Sequence, residues 1–421
     1  MQIQIPYGHT VLEWEGDFSS CEVICAQENG GYEEQTQEQI IAGAMANPIG
    51  SRPLEELARG KKRAVIIISD HTRPVPSRLI LPPMLEALRA GSPEIEITLL
   101  VATGCHRGTT EAELRQKLGD AIFERERILV HDCDDRDNMV NLGTLPSGVD
   151  LWVNRVAAET ELLLAEGFIE PHFFAGFSGG RKSVLPGVCA RRTVMANHCA
   201  KLIDDPHART GILEQNPIHA DMMAAARMAK LSYVVNVVLD AKKQVIHAVA
   251  GDAIEAHRAG CDFISGICAV RPEKKGDIVI TSNGGAPLDQ NLYQSVKCMS
   301  AAEAAAADGG TIIVCCECAD GIGGDQFYRA VKECESAGQL LGEIRQVEPE
   351  DTVPDQWQYQ ILCRILEKHR VIFVTGGELA QVVTDMKMEY AKSLEAAIRM
   401  ADPQEKHVVV IPDGVSVMVV E

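Results

Sequence analysis

A carboxylate, an imidazole, a hydroxyl and a guanidinium stand side by side at Asp70-His71-Thr72-Arg73-Pro74. On one turn such groups can orient a sugar hydroxyl, a phosphate or a carboxylate, and arginine grips the last two through its planar fork. A second cluster, Thr103-Gly104-Cys105-His106-Arg107, offers His106 as an acid/base group that titrates near neutral pH when unperturbed. The densest segment is Glu170-Pro171-His172-Phe173-Phe174-Ala175-Gly176-Phe177-Ser178-Gly179-Gly180-Arg181-Lys182-Ser183. Its Gly-Gly-Arg-Lys-Ser end resembles a phosphate loop, but Arg181 separates Gly180 from Lys182, so the Walker spacing fails. A backbone anion nest is still compatible with it. A lysine held in such a turn beside an arginine is a candidate nucleophile or attachment point. The apolar Phe173, Phe174 and Phe177 are poorly explained by a plain basic surface turn.

Other polar clusters carry weaker signals. His172, His198 and His207 lie within a short stretch, but no pair has the spacing of a helical zinc motif. In Asp289-Gln290-Asn291-Leu292-Tyr293-Gln294-Ser295-Val296-Lys297, Tyr293 or Gln294 shares a helix face with Lys297. That face suits a hold on a substrate carboxylate, or equally a solvated surface. Cys315-Cys316-Glu317-Cys318 lacks the second cysteine pair of an iron–sulfur cluster or zinc ribbon. Gly321-Ile322-Gly323-Gly324 lacks the spacing of a dinucleotide fingerprint.

The elements that must position these groups alternate. Ala64–Ser69 reads as a buried strand, followed by a helix through Leu81, Met84, Leu85 and Leu88 that stops at Gly91. Glu94–Ala102 is the next strand, Thr110 to Glu113 is a capping box opening a helix, and Arg127–His131 is a further strand. Near Arg271–Gly276 the composition turns polar and the pattern restarts. Asp277–Thr281 is a strand, Ser300 to Glu303 caps an Ala-rich helix closed by Gly309-Gly310, and Thr311–Cys315 and Val371–Thr375 are strands. The expected fold is α/β, with two Rossmann-like domains whose parallel sheets are covered by helices and an active site in the interdomain cleft. The expected bounds are 1–272, together with 403–421, for an N-terminal cofactor-binding domain. A smaller C-terminal domain over 273–402 closes over the site. The strand His407–Ile411 suits either sheet. Ligands of open parallel sheets sit beyond the carboxyl ends of the strands, where residues 70–74, 103–107 and 282–285 fall.

Composition bounds the function. A chain of 421 residues implies two or three domains. Hydrophobic residues at 46% and charged residues at 24% exclude wholesale disorder and fibrous classes. The net charge of −20 and an aromatic content of 5% argue against nucleic-acid and anionic-membrane partners. An anionic substrate must then meet a few local cations. With 14 cysteines, no basic and apolar leader and no long apolar run, the expected compartment is a reducing cytoplasm. Most cysteines then serve as small buried hydrophobes.

Together these segments resemble the nickel-dependent lactate racemase family. The matching residues are Asp-His-Thr-Arg-Pro at 70–74, Thr-Gly-x-His-Arg at 103–107, the block 170–183, Asn-His at 197–198, Tyr-Gln-Ser-Val-Lys at 293–297 and Trp357. They run in order through nearly the whole chain, and the block at 170–183 is the most specific. The resemblance implies a nickel pincer nucleotide, pyridinium-3,5-bisthiocarboxylic acid mononucleotide, held covalently on Lys182 through a thioamide. Nickel is then bound by two sulfurs, a ring carbon and His198, a soft set with one imidazole that suits this metal. Asp70 and Thr72 match contacts to the cofactor's ribose or phosphate, and Ser178, Gly179, Gly180 and Arg181 complete the cofactor-binding set. His106 and His172 match the acid/base pair. Arg73 and Lys297 match the holders of the substrate carboxylate, with Gln294, Tyr293 and Trp357 also at the substrate. The implied reaction is racemisation of a short 2-hydroxy acid, lactate or a close relative. A histidine takes the hydroxyl proton, hydride leaves C2 for the cofactor, and hydride returns to the other face of a 2-keto acid. Cofactor-making enzymes are implied partners. Larger acids of the malate, 2-hydroxyglutarate, phenyllactate or aldonate type stay open as substrates. So do a zinc-dependent hydrolase using His106, His172 and His198, and a non-catalytic cofactor carrier.

Overall fold

Strand Arg63–Ser69 has five consecutive buried residues, Ala64 to Ile68, and so must be covered on both faces. In the computed structural model, which describes residues 2–27, 35–240 and 242–420, it lies in the middle of a six-stranded sheet. The strand order is Val245–Gly251, Leu231–Leu239, Leu162–Phe168, Arg63–Ser69, Glu96–Ala102 and Arg127–Val130. All neighbours are parallel except the edge pair of Val245–Gly251 with Leu231–Leu239. Helix Ser77–Gly91 turns Ile80, Leu81, Met84, Leu85 and Leu88 into the same core as Ile66, Ile68, Leu99 and Val101. Burying each such side chain contributes about 2 kcal/mol. Gly91 ends the helix against residue 55, where a Cβ would meet the Glu55 carbonyl oxygen at 2.0 Å. The capping box forms as expected: the Thr110 side chain accepts from the Glu113 amide, and the Glu113 side chain accepts from the Thr110 amide.

The second sheet is wholly parallel, with order Glu389–Ala391, Arg370–Val374, Ala306–Cys315, Gly276–Ser282, His407–Ile411 and Ser20–Val23. The placement of 403–421 with the N-terminal domain is therefore corrected. All five residues of His407–Ile411 are buried, and Val408 and Val410 join the core of Ile278, Ile280, Ile313 and Ile372. The N-terminal hairpin Gln2–Tyr7/Thr10–Glu15 belongs here as well, because Ile3 and Ile5 enter that core. The chain divides into a first unit, residues 29–197 and 205–264, and a second, residues 1–28, 198–204 and 265–421. In this division the second unit resumes at residue 265, close to the expected 273, and the N-terminal segment changes sides.

One helix start also differs. Helix Leu292–Ala305 begins at Asn291, whose side chain accepts from the Gln294 amide, so Ser300 is interior and donates to the Val296 carbonyl. Gly309 and Gly310 lie within strand Ala306–Cys315 rather than closing the helix. No helix among the described residues is long and apolar enough to cross a membrane.

Candidate active site

Strands Arg63–Ser69 and Glu96–Ala102 are parallel neighbours, with Ser69 beside Ala102. Their carboxyl ends therefore deliver Asp70 and, after the positive-φ turn at Gly104, His106 to the same place. His106 Nδ1 lies 2.7 Å from Asp70 Oδ2. The other oxygen of Asp70 accepts from the Thr72 amide at 3.1 Å and the Thr72 hydroxyl at 2.6 Å. Asp70 thus caps no helix; it is 1% exposed and fixes its own loop and its histidine. Burial would raise its pKa, but hydrogen bonds from His106 and Thr72 and the charge of Arg73 outweigh that and hold it below the ordinary carboxylate range. An ionised Asp70 accepts Nδ1–H, which leaves the lone pair of Nε2 on the side of the ring facing away from it. The His106 side chain is 46% exposed, so Nε2 can meet a substrate proton. Arg73 is exposed on the same loop.

The second cluster of this unit is built on Pro171–His172 paired antiparallel with Gly176–Phe177. The Ala175 amide donates to His172 Nδ1 at 3.3 Å, and the ring packs on Phe173 and Phe174. Neutral His172 then carries its proton on Nε2, the opposite arrangement to His106. Gly179 and Gly180 have φ of +77° and +51°, and a Cβ on them would meet the Phe168 carbonyl oxygen at 2.8 Å and the His257 ring at 2.7 Å. Only glycine fits both the conformation and the space. The Gly180 amide donates to Asn236 Oδ1 at 2.8 Å. Half-buried Lys182 follows, with Nζ 5.7 Å from the Phe174 ring centroid.

Two members of the expected cofactor set, Ser178 and Arg181, make their hydrogen bonds inside the protein. The Ser178 hydroxyl donates to the Phe168 carbonyl and accepts from the Glu170 amide, so it serves as a brace inside the turn. Arg181 is fully buried, and its guanidinium is directed inward. It donates to the carbonyls of Ala175 at 2.7 Å, Gly179 at 3.3 Å and Ser178 at 3.4 Å, and to His219 Nδ1 at 3.1 Å, beside His257 Nε2 at 2.9 Å. All these partners are neutral. Burial first, then the Arg181 charge, pushes His219 down to about 3, and the same causes lower His257. Arg181 is itself pushed down to about 10 by burial and stays charged at neutral pH. A cation without a carboxylate among these partners therefore underlies the glycine turn, where low polarisability strengthens its field. Such a turn fits an anionic group such as a nucleotide phosphate.

In the second unit, His198 is buried, and its ring meets Trp357 edge-on at 5.1 Å. Its segment is tied down by Gln360 Nε2 donating to the Ala200 carbonyl at 3.0 Å and by Arg345 pairing with Asp204 at 2.6 Å. On helix Leu292–Ala305, Tyr293, Gln294 and Lys297 are half-buried, while Leu292, Ser295, Val296, Cys298 and Met299 are buried. The three candidates thus share the helix's less buried face. Gln358 holds the Tyr293 carbonyl at 2.5 Å. Burial, with Asp355 beside it, pushes the Tyr293 hydroxyl up, so it stays protonated as a donor.

Among the described residues, one trio of potential metal ligands is close enough to share an ion: Asp132, Cys133 and Asp134. Neither His106 nor His172 belongs to it. Asp134 is engaged bidentately by Arg191, at 2.8 Å for both bonds. Eleven of the cysteines are buried, and all are unbridged, in line with a hydrophobic role.

Sequence reasoning missed Asn236, His219 and His257. The first carried a visible signal, a single amide inside the apolar run Leu231–Leu239.

Comparison with known proteins bears on this geometry. Residues 7–211 match the lactate racemase N-terminal domain, and residues 271–419 match the lactate racemase C-terminal domain. A lactate racemase of Thermoanaerobacterium thermosaccharolyticum is 49% identical over 423 residues, covering 100% of this chain and 99% of that protein. A lactate racemase of Lactiplantibacillus plantarum is 47% identical, with 99% of each chain covered. The structure of the lactate racemase apoprotein from T. thermosaccharolyticum superposes with a TM-score of 0.95 at 48% identity, covering 100% of both chains. A Thermotoga maritima protein shares the fold at a TM-score of 0.65 and 18% identity, over 91% of this chain and 98% of that one. This chain belongs to the lactate racemase family and is an isomerase of the racemase type.

Proposed function

We propose that the protein interconverts the enantiomers of lactate, or of a closely related short 2-hydroxy acid, with a nickel pincer nucleotide attached to Lys182. The observation that carries this reading is the Asp70–His106 pair with Arg73 on the same loop, in a chain whose full-length relatives are named lactate racemase. The residues fit the cofactor: a glycine turn over a buried arginine suits its phosphate, and Lys182 would attach it. His198 would be the protein's nickel ligand, with Trp357 packed at an angle against its ring. When bound, the pincer nucleotide supplies a hydride acceptor and donor for C2. Cofactor-making enzymes are the expected partners.

The chain's own groups do the rest. Arg73 and Lys297 hold the substrate carboxylate, which fixes the position of C2 relative to the histidines. Gln294, Tyr293 and Trp357 are assigned to substrate positioning. His106, oriented by Asp70, takes the 2-hydroxyl proton at Nε2 as C2 is oxidised. His172 presents Nε2–H as a hydrogen-bond donor to the C2 oxygen. Serving as the base for the opposite enantiomer requires it to give up the Ala175 amide bond.

The equilibrium constant between enantiomers is unity by symmetry. Losing either histidine must therefore lower kcat/KM equally in the two directions. The test is a panel of chiral 2-hydroxy acids followed by polarimetry, using holoprotein co-produced with the cofactor-making enzymes. Loss of optical rotation from L-lactate and from D-lactate is expected. Rotation that holds steady with lactate but decays with a larger acid would reassign the substrate.

A further inference from the structure

One strongly buried carboxylate near the proposed site has no role in the reaction scheme above. Glu166 lies in strand Leu162–Phe168, all seven residues of which are buried, and is itself 2% exposed. Its Oε1 accepts three hydrogen bonds: from the Ser69 amide at 3.1 Å, the Ser69 hydroxyl at 3.3 Å and the Ser77 hydroxyl at 2.9 Å. Ser69 is the last residue of its strand, and Ser77 is the first of the following helix. Everything between them is the loop that carries Asp70, Thr72 and Arg73. Among the described residues, Oε2 has no hydrogen-bond partner. Burial raises the pKa of Glu166, and the charge of Lys117 is the largest influence opposing that rise. Lys117 also donates Nζ to the carbonyls of Arg73 at 3.3 Å and Val75 at 3.4 Å.

We propose that Glu166 is a positioning residue, which pins both ends of the 70–76 loop to one carboxyl oxygen and thereby sets Arg73 and the Asp70–His106 pair for the substrate, with Lys117 as its counterpart on the loop carbonyls. The role rests on the functional reading above. A buried carboxyl in a central parallel strand is costly unless its hydrogen bonds are made, and three donors depend on this one. An apolar side chain there would suit the sheet core better, so stability alone does not account for the glutamate. The loop offers one buried apolar anchor of its own, Val75. Small displacements of a substrate-holding arginine are enough to weaken binding steeply.

The test compares holoproteins carrying Glu166→Gln, Glu166→Ala and Lys117→Met in L-lactate racemisation. Glu166→Gln keeps an acceptor at Oε1 and should stay within about threefold of the parent, whereas Glu166→Ala should lose about a hundredfold in kcat/KM, mostly as a rise in KM. Lys117→Met should raise KM by about tenfold, and its combination with Glu166→Ala should be less than additive because both act on one loop. The Lys182 adduct should remain in every variant by intact mass. Unchanged KM in Glu166→Ala, or an equal loss in Glu166→Gln, overturns the proposal. If Glu166→Ala does not fold, Ser69→Ala/Ser77→Ala removes the two hydroxyl ties and must raise KM by about tenfold, and an unchanged KM again overturns it. If the parent holoprotein does not racemise lactate, the functional reading fails instead. The clamp is then decided by hydrogen–deuterium exchange, which must accelerate over residues 70–76 in the variant that removes the ties and overturns the proposal if it does not.

Discussion

An ionised Asp70 fixes both the tautomer and the direction of His106, so Asp70→Asn should cost far more than one hydrogen bond. The expected loss is about a thousandfold in kcat, with the Lys182 adduct intact by mass. Asp70 also links stability to pH. Its folded pKa lies below the ordinary carboxylate value, so its stabilisation is complete above the ordinary range and is lost as pH falls toward the lowered value. His219 adds to this acid sensitivity. Its folded pKa of about 3 is below that of a free histidine, so the unfolded chain binds a proton first as pH drops below the usual histidine range. Thermal unfolding midpoints should therefore fall from neutral pH toward pH ~5, and less steeply in His219→Gln. At this scale the clusters holding Asp70, Arg73, His106, His172 and Lys182 are legible as compact motifs, and the structure brings Asp70 and His106 together. The inward-facing roles of Arg181 and Ser178 are not legible, since the same Gly-Gly-Arg-Lys string is compatible with a guanidinium pointing either way. The inward direction of Arg181 is set by carbonyls of its own turn together with His219 and His257 from distant segments.

Among the elements, the turn at 178–182 is the most tightly determined. Gly180→Ala would force a Cβ into the His257 ring at an unfavourable φ, and about 2–3 kcal/mol of stability should be lost. Denaturant titration checks this, and intact mass should show less Lys182 adduct because the turn can no longer close over Asn236. Local signals identified most elements well: the strand at 63–69, the helix to Gly91 and the capping box at Thr110 all follow from periodicity and caps. For the helix at 292–305 the cap signal at Ser300 misleads. Ser300 resembles a cap in isolation, but Asn291 takes that role nine residues earlier and Ser300 bonds back to Val296. Glu166 shows the converse case, a lone carboxylate in an apolar strand that marks a support rather than a surface.

For the whole molecule, the α/β class and two parallel sheets were legible from alternation, while chain membership of the units was not. A five-residue apolar strand such as His407–Ile411 carries no information on which sheet it enters, because strand order is set by non-local packing. The same holds for the N-terminal hairpin, which joins the second core through Ile3 and Ile5. The net charge of −20 sits on a protein whose proposed ligands are anions, so local cations must do the recognition. Removing Lys297 should then raise the KM for lactate by about a hundredfold with a smaller effect on kcat, a split that steady-state kinetics on Lys297→Ala would reveal. The central claim is that C2 loses and regains a hydride rather than a proton. It is tested most directly by racemising L-lactate deuterated at C2 in ordinary water and reading the product by mass spectrometry. Hydride transfer predicts D-lactate that keeps its deuterium; D-lactate formed with solvent hydrogen at C2 would contradict it.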